Sequence, residues 1–418
     1  MPLKKFIEKY DHMTVEGEVS IDCEVTEHAK KNPETPIYFP DFPHGPSVIN
    51  LWASRSRLAD HFGIEKGEMI ERLADAVDSP SAPEQVERAG FEDKTEEEFD
   101  LRELPIPKYY PNDGGRYITS GIVITEYEGK RNLSYHRMML RDEKTFTIRI
   151  CPRHLKKMYE KAKERNEELD IAVVIGVEPS VLLAAATSID YEVDETGVAN
   201  SLKKTTLSGT LKIKELENGI SVPSDAEYVL QGRITHDLDK EGPFVDITGT
   251  YDKVRQQPIV EIDRVYRKED AVFHALLPGG YEHFLLMGLP RESEMKRKLN
   301  KITSVEDVRL TEGGCSWLHG VVSINDHEAN VKKIIEEAFE VHTSMKKITV
   351  VDDDIDIFDD REVEWAVATR FQPDEDIYIY EDQKGSSLDP SAPDLTAKWG
   401  LDATKPWEGE EFDRANIE

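Results

Sequence analysis

The tightest local constraint in this chain is Glu241-Gly242-Pro243-Phe244-Val245-Asp246, where a Gly-Pro pair interrupts sequence of β type. Gly and Pro punctuate and stiffen the backbone. Glu241 and Asp246 are therefore held five residues apart across a turn. Phe244 and Val245 are apolar neighbours suited to excluding water. A carboxyl in such surroundings has its charged form disfavoured and its pKa raised. That makes a proton donor at neutral pH. On its own the stretch also reads as an acidic surface turn.

Acidic residues are common here. The 418 residues carry 84 Asp plus Glu against 53 Lys plus Arg, a net charge of −31. Such a surface repels phosphate backbones and argues against nucleic acid as a partner. An anionic substrate needs a local basic pocket. The length suggests two or three domains with ample core. The three cysteines, Cys23, Cys151 and Cys315, form no CxxC pair. A disulfide framework or cysteine zinc site is not expected, and a reducing cytoplasm is the natural setting. No apolar run follows Met1-Pro2-Leu3-Lys4-Lys5-Phe6, so no signal peptide is expected. The apolar runs 171–177 and 181–186 are too short to span a bilayer.

Along the chain, residues 1–100 read as irregular α/β. Leu51, Leu58 and Phe62 before Gly63 predict a helix within 50–62. Ser79-Pro80-Ser81-Ala82-Pro83 reads as a linker. From 115 the period changes, predicting strands over 117–125, 132–140 and 145–150, with a turn at Glu128-Gly129-Lys130. A helix is expected from Pro152 to about 168, a buried strand over 171–177 and a short apolar helix over 180–187. Further strands are expected at 207–216, 228–234, 245–250 and 260–267. From about 300 a strand at 321–324, an amphipathic helix over 327–343 and a strand at 348–351 imply a parallel pair. A helix follows over 361–371.

Several stretches are more specific in order than alone. They are Tyr117-Ile118-Thr119-Ser120-Gly121, Asn132-Leu133-Ser134-Tyr135-His136-Arg137, Arg149-Ile150-Cys151-Pro152-Arg153-His154 and the stretch 241–246. Pro278-Gly279-Gly280-Tyr281-Glu282-His283, Asp352-Asp353-Asp354, Trp365-Ala366-Val367-Ala368-Thr369-Arg370 and the segment 398–404 complete the series.

This ordered set resembles the UbiD-type decarboxylases, over about 115–404. The resemblance implies an α/β (α+β) fold in three parts. These are an N-terminal α/β region over 1–110, a flavin-reductase-like split β-barrel over 111–300 that binds prenylated FMN and metal, and a C-terminal α/β oligomerisation domain with a tail over 301–418. It implies a carboxy-lyase using prenylated FMN, a divalent metal (Mn2+ or Mg2+) and potassium (K+). A separate flavin prenyltransferase supplies the cofactor, and the assembly is a homodimer or higher homo-oligomer. The cofactor carries the hard chemistry while the protein orients and protonates.

By the same resemblance, Arg137 is the catalytic arginine, suited to a substrate carboxylate through a bidentate contact. Glu241 pairs with it, and Asp246 falls on the terminal acid, Glu in some members and Asp in others. Asn132 and Glu195 resemble metal ligands, with His154 a third in some members. Oxygen ligands plus one imidazole suit Mn2+ or Mg2+. Placing the ligand at Glu195 rather than Glu192 rests on the spacing to Val198-Ala199, and His154 equally suits a helix start. Tyr135, His136, Arg137, Arg149, Ile150, Cys151 and His154 fall where the family binds flavin, largely through backbone groups. Lys398 resembles a lysine near the cofactor phosphate, or is a plain tail lysine. The run 352–354 reads as turn and helix-start chemistry rather than a metal site.

Within the family the chain looks most like an archaeal branch with a terminal Asp and a short C-terminus, which includes the anhydromevalonate phosphate decarboxylases. That implies decarboxylation of trans-anhydromevalonate 5-phosphate to isopentenyl phosphate, with Lys130, Arg131 and His136 as candidate phosphate partners. The alternatives are a decarboxylase of aromatic acids of the 4-hydroxybenzoate type, whose pocket would be apolar, and a non-catalytic flavin-binding protein.

Overall fold

The computed structural model describes residues 3–207, 209–392 and 395–406. The far tail expected within 301–418 lies, from residue 407, outside the described residues. The chain divides into two compact units, Met1–Leu286 and Met287–Glu418.

The first unit is built on a rolled sheet. One hydrogen-bonded path runs Tyr117–Ile118, Met138–Leu140, Thr145–Ile148, Arg255–Arg267, Tyr228–Glu241, Leu169–Ile175, Ile122–Tyr127 and Lys130–Tyr135, every pair antiparallel. Connectivity forces it to curl. Ile118 and Ile122 lie six strand positions apart on this path. In a flat sheet that is roughly 29 Å, at about 4.8 Å per strand. Four residue steps reach at most about 14 Å. The three steps from Tyr135 to Met138 impose the same closure. The two ends of the sheet therefore face each other across a split bridged by 119–121 and 136–137. The roll is filled by Tyr117, Ile118, Val123, Met138, Phe146, Val173, Leu230, Phe244 and Val260.

Two expected strands are thus each two strands. The break at 119–121 is held by Thr119 Oγ1 donating to the Leu276 carbonyl (2.7 Å) and Ser120 Oγ to that of His274. The break at 136–137 turns Arg137 out of the ladder. The turn at Glu128-Gly129 is as expected: both residues have positive φ (52° and 72°), and Tyr127 pairs with Lys130. Positive φ at both positions is the requirement of a two-residue hairpin with the right twist.

Other differences have local causes. The expected strand at 245–250 is a small hairpin, Phe244–Val245 against Tyr251–Asp252, with Asp246 in its loop. The helix Glu195–Leu207 was not anticipated; Asp194 Oδ1 accepts from Thr196 N (2.8 Å) at its start. The helix Tyr281–Leu299 was missed too, because Pro290 interrupts its pattern. The helix Arg55–Phe62 is as expected, with Ser54 capping it and Gly63 left-handed after it.

The second unit carries a five-stranded sheet in the order Val305–Leu310, His319–Ile324, Lys347–Asp352, Leu395–Asp402 and Ile377–Lys384, its central three strands parallel. The helices Val331–Val341 and Asp360–Arg370 belong to it. Asp352 and Asp354 clamp the fully buried Arg370 through NH1 (3.2 Å) and NH2 (2.7 Å). The helix start expected of that run is capped instead by Asp359, which accepts from Arg361 N. Among the described residues no helix is long and apolar enough to cross a membrane.

Two hydrogen bonds tie the turn 113–114 to the stretch 241–246. Gly114 N donates to the Pro243 carbonyl (2.8 Å), and Asp113 Oδ1 accepts from Val245 N (3.4 Å). A Cβ on Gly114 would sit 2.4 Å from the Gly242 carbonyl oxygen. Gly114→Ala should therefore lower the unfolding free energy by about 1–3 kcal/mol, the range for overpacking. Urea unfolding monitored by fluorescence measures it; an unchanged midpoint would mean the turn is not closely packed.

Candidate active site

Arg137 lies at the split and is nearly enclosed, with 8% of its side chain exposed. Its Nε and NH2 grip Glu241 side-on (2.8 and 2.9 Å). NH1 donates to Asp246 Oδ2 (2.6 Å), and NH2 also donates to Asp252 Oδ2 (2.9 Å). The guanidinium carbon stands 4.6 Å from the centre of the Phe244 ring. Burial works against the arginine's charge, but Glu241, Asp246 and Asp252 outweigh it and raise its pKa. Glu241 is fully buried and also receives Tyr117 OH (3.3 Å), which accepts from Gly242 N (3.1 Å). Burial, then the charge of Glu241, pushes the Tyr117 phenol up, so it is a fixed neutral donor.

Asp246 sits on the hairpin loop. Its carbonyl accepts from Gly249 N, and a Cβ on Gly279 would lie 3.1 Å from the same oxygen. The turn 278–280 thus backs the acid. Gly279 N donates to His283 Nδ1 (3.1 Å). Burial lowers the pKa of His283, with Asp246 acting in the opposite sense.

A second convergence lies on three other elements. Asn132, on Lys130–Tyr135, donates through Nδ2 to Glu195 Oε1 (3.0 Å), and Leu133 N donates to Glu195 Oε2 (3.1 Å). Glu195 opens the helix Glu195–Leu207, and His154 opens His154–Glu164. His154 Nδ1 stands 3.7 Å from Glu195 Oε1. The Tyr191 ring meets His154 edge-on at 5.3 Å. Two buried hydroxyls here, Tyr191 OH and Thr196 Oγ1, have no partner among the described residues. Buried polar groups without protein partners are uncommon, and these two suit a bound polar group at this place. One amide, one carboxylate and one imidazole form a donor set fit for Mn2+ or Mg2+.

The segments expected to line a flavin are pinned together. Arg149 N donates to the Arg137 carbonyl (3.1 Å), and His136 Nδ1 lies 2.9 Å from the Arg149 carbonyl. Burial pushes the His136 pKa down to about 4, so its ring is neutral at pH 7. Ile150 N is held by Gln257 Oε1 (3.1 Å), while Cys151 is an exposed free thiol. The Tyr135 hydroxyl is buried without a partner among the described residues. Lys398 belongs to the other unit, where its ammonium donates to the Thr343 carbonyl (2.7 Å) and burial lowers its pKa to about 8.

The phosphate partners expected at Lys130, Arg131 and His136 are otherwise engaged. Lys130 pairs with Glu192, and Arg131 with Glu126 (3.1 Å) and Asp194 (3.2 Å). His136 is buried and uncharged. Asp252 and Arg255 were not singled out from sequence, and His283 was named only within the stretch 278–283, with no role. The signal for Asp252 was Gly249 as a hairpin turn, which sets Asp252 opposite Phe244.

Comparison with known proteins gives the family and the fold. The 3-octaprenyl-4-hydroxybenzoate carboxy-lyase N-terminal domain matches residues 5–77, the Rift-related domain 83–281 and the C-terminal domain 284–403. The chain belongs to the UbiD family. It is 44% identical to the anhydromevalonate phosphate decarboxylase of Methanocaldococcus jannaschii, over 93% of each chain. It is 39% identical to that of Methanothermobacter thermautotrophicus, over 99% of each. The UbiD-class enzyme HmfF from Pelotomaculum thermopropionicum, solved in complex with FMN, superposes with a TM-score of 0.95 at 34% identity, over 99% of this chain and 96% of that one. The UbiD-type chain described here is thus a decarboxylase with the UbiD-class fold.

Removing the carboxylate shared by Asn132 and Leu133 N tests the second convergence. Glu195→Ala, purified after coexpression with a flavin prenyltransferase, should lose divalent metal and flavin together. Elemental analysis and the flavin absorbance read both. Full flavin without metal would overturn the assignment.

Proposed function

We propose that this decarboxylase acts on trans-anhydromevalonate 5-phosphate, releasing CO2 and isopentenyl phosphate, with prenylated FMN and a divalent metal. The observation that carries the chemistry is Arg137 held by Glu241 and Asp246 at the split. The substrate is supported by relatives of that name that cover nearly the whole chain.

The bound flavin supplies an electron sink for the carbon that loses CO2. Asn132, Glu195 and His154 are the residues that would hold the metal. Glu241 fixes the plane of the Arg137 guanidinium by gripping one edge of it. NH1 has a single carboxylate partner, Asp246. It is the nitrogen free to exchange that partner for the substrate carboxylate, a contact guanidinium geometry favours. Phe244 and Tyr117 exclude water, their ring centres 4.5 Å apart. After C–C cleavage the proton for the carbanionic carbon comes from the Asp246 carboxyl. Asp246 is left ionised and is reprotonated from solvent, to which its side chain is 19% exposed.

Its prenylated flavin would come from a separate prenyltransferase, and the active form would be a homo-oligomer. Holoenzyme should turn over the phosphorylated enoate and not 4-hydroxybenzoate. The reverse result would make it an aromatic acid decarboxylase, and no turnover of either would favour a binding role. Asp246→Asn should keep fold and flavin while lowering kcat by at least about 100-fold, the low end for general acid catalysis. Wild-type turnover in that variant would overturn the proton-donor role.

A further inference from the structure

We infer that Asp252 is a positioning residue for this decarboxylation: with Arg255 it satisfies the second terminal nitrogen of Arg137, so that Asp246 is free to take up and give its proton. This rests on the reading of Asp246 as proton donor.

Asp252 closes the hairpin whose loop carries Asp246. Its side chain is 5% exposed and accepts from Arg137 NH2 (2.9 Å), Arg255 NH1 (2.5 Å) and Lys253 N (2.8 Å). Burial opposes its ionisation, but Arg255 and Arg137 more than offset this and lower its pKa, so it is a carboxylate throughout the working range.

The charges in this cluster do not balance. Two guanidinium groups, Arg137 and Arg255, face three carboxyls, Glu241, Asp246 and Asp252. With all ionised the sum is 2 − 3 = −1. Glu241 holds three donors and is fully buried; Asp252 holds three donors. Asp246 holds two, Arg137 NH1 and Ile247 N (2.7 Å), and is the most exposed. Asp246 is thus the carboxyl of the three with the fewest donors and the one most open to solvent, the member suited to exchange a proton during turnover. Protonating Asp246 also costs Arg137 NH1 the charge of its partner. With Glu241 and Asp252 in place the buried guanidinium keeps two anions. Without Asp252 the guanidinium would rely on Asp246 as its second anion, and an opposite charge at this range favours the charged form of a carboxyl.

Other groups face this cluster from each neighbouring element. Tyr117 is a neutral donor to Glu241. Asp113 accepts from Val245 N, and burial pushes its pKa up. Lys253 stands beside Asp252 in sequence and is exposed. His283, on Tyr281–Leu299, faces Asp246, and burial keeps it neutral. None is altered by the variants below.

The test is the pH dependence of kcat in holoenzyme, with whichever acid is turned over. A general acid loses activity as pH rises through its deprotonation. Asp252→Asn makes the cluster 2 − 2 = 0 and should move that falling limb down by about one pH unit. The loss at neutral pH should be about tenfold and recover on acidification. Asp252→Asn with Arg255→Gln gives 1 − 2 = −1 and should return the limb toward wild type. Arg255→Gln alone gives 1 − 3 = −2 and should move it up, so the inference stays testable if Asp252→Asn fails to fold.

In unloaded protein, infrared difference spectra recorded on acidification should show a protonated carboxyl band that is absent from Asp246→Asn and whose midpoint moves with the same shifts. An unmoved limb in folded Asp252→Asn, or no return in the double variant, would overturn the role of Asp252. Absence of that band from wild type would instead overturn Asp246 as the donor.

Discussion

The buried grip of Glu241 on Arg137 is the interaction on which the rest of the site depends. Both contacts of the fork come from a carboxylate with no exposure, so water does not compete for either. A bidentate pair fixes a plane and not merely a distance. Once that plane is set, the directions of NH1 and of the outer face of NH2 follow, and with them the positions of Asp246 and Asp252. The Phe244 ring under the guanidinium and the Tyr117 hydroxyl on Glu241 supply the remaining walls.

The chain places this pair by rolling one sheet until its ends meet. Arg137 occupies the two-residue passage between Lys130–Tyr135 and Met138–Leu140, strands on opposite lips of the split. Glu241 ends the strand Tyr228–Glu241 at the middle of the sheet. A residue in that passage is freed from the ladder on both sides, so its side chain can leave the plane that strand geometry would impose. The same passage puts Asn132 five residues upstream on the far lip, next to the openings of two helices that bring Glu195 and His154. Both convergences descend from one topological feature.

Much of this was legible in the sequence, and the failures are informative. The stretch 241–246, the hairpin at Glu128-Gly129 and the parallel pair near 320–352 carried local signals that tertiary structure did not override. The strand breaks at 119–121 and 136–137 carried none. Their β-branched and apolar flanks satisfy a period of two straight through, and only long-range bonds to the carbonyls of His274 and Leu276 and the pull of Glu241 open them. Asp252 was hidden for a related reason: its partners lie more than a hundred residues upstream at Arg137 and three downstream at Arg255. That Lys130 and Arg131 are paired with acids was not legible, because sequence shows a charge and not its neighbour, and this chain has acids enough to pair its surface cations.

That surplus of acid bears on why the Arg137 cluster exists. A buried ion pair is a poor device for stability, since desolvating both groups costs several kcal/mol per ion, and apolar replacements are often neutral or better. Gathering three carboxyls around one enclosed guanidinium multiplies that cost, and the second guanidinium of Arg255 offsets only part of it. A fold selecting for stability alone has cheaper fillings for the same space, and Tyr117, Phe244 and Val245 already line it. What the cluster provides, on the proposed reading, is one carboxyl able to exchange a proton while the others hold the geometry. Perturbed carboxyls and arginines concentrate at reactive sites for this reason. Here the cost of burial falls on Glu241, Asp252 and Arg137, and Asp246 is the one member left partly open to water, as the proposed proton donor requires.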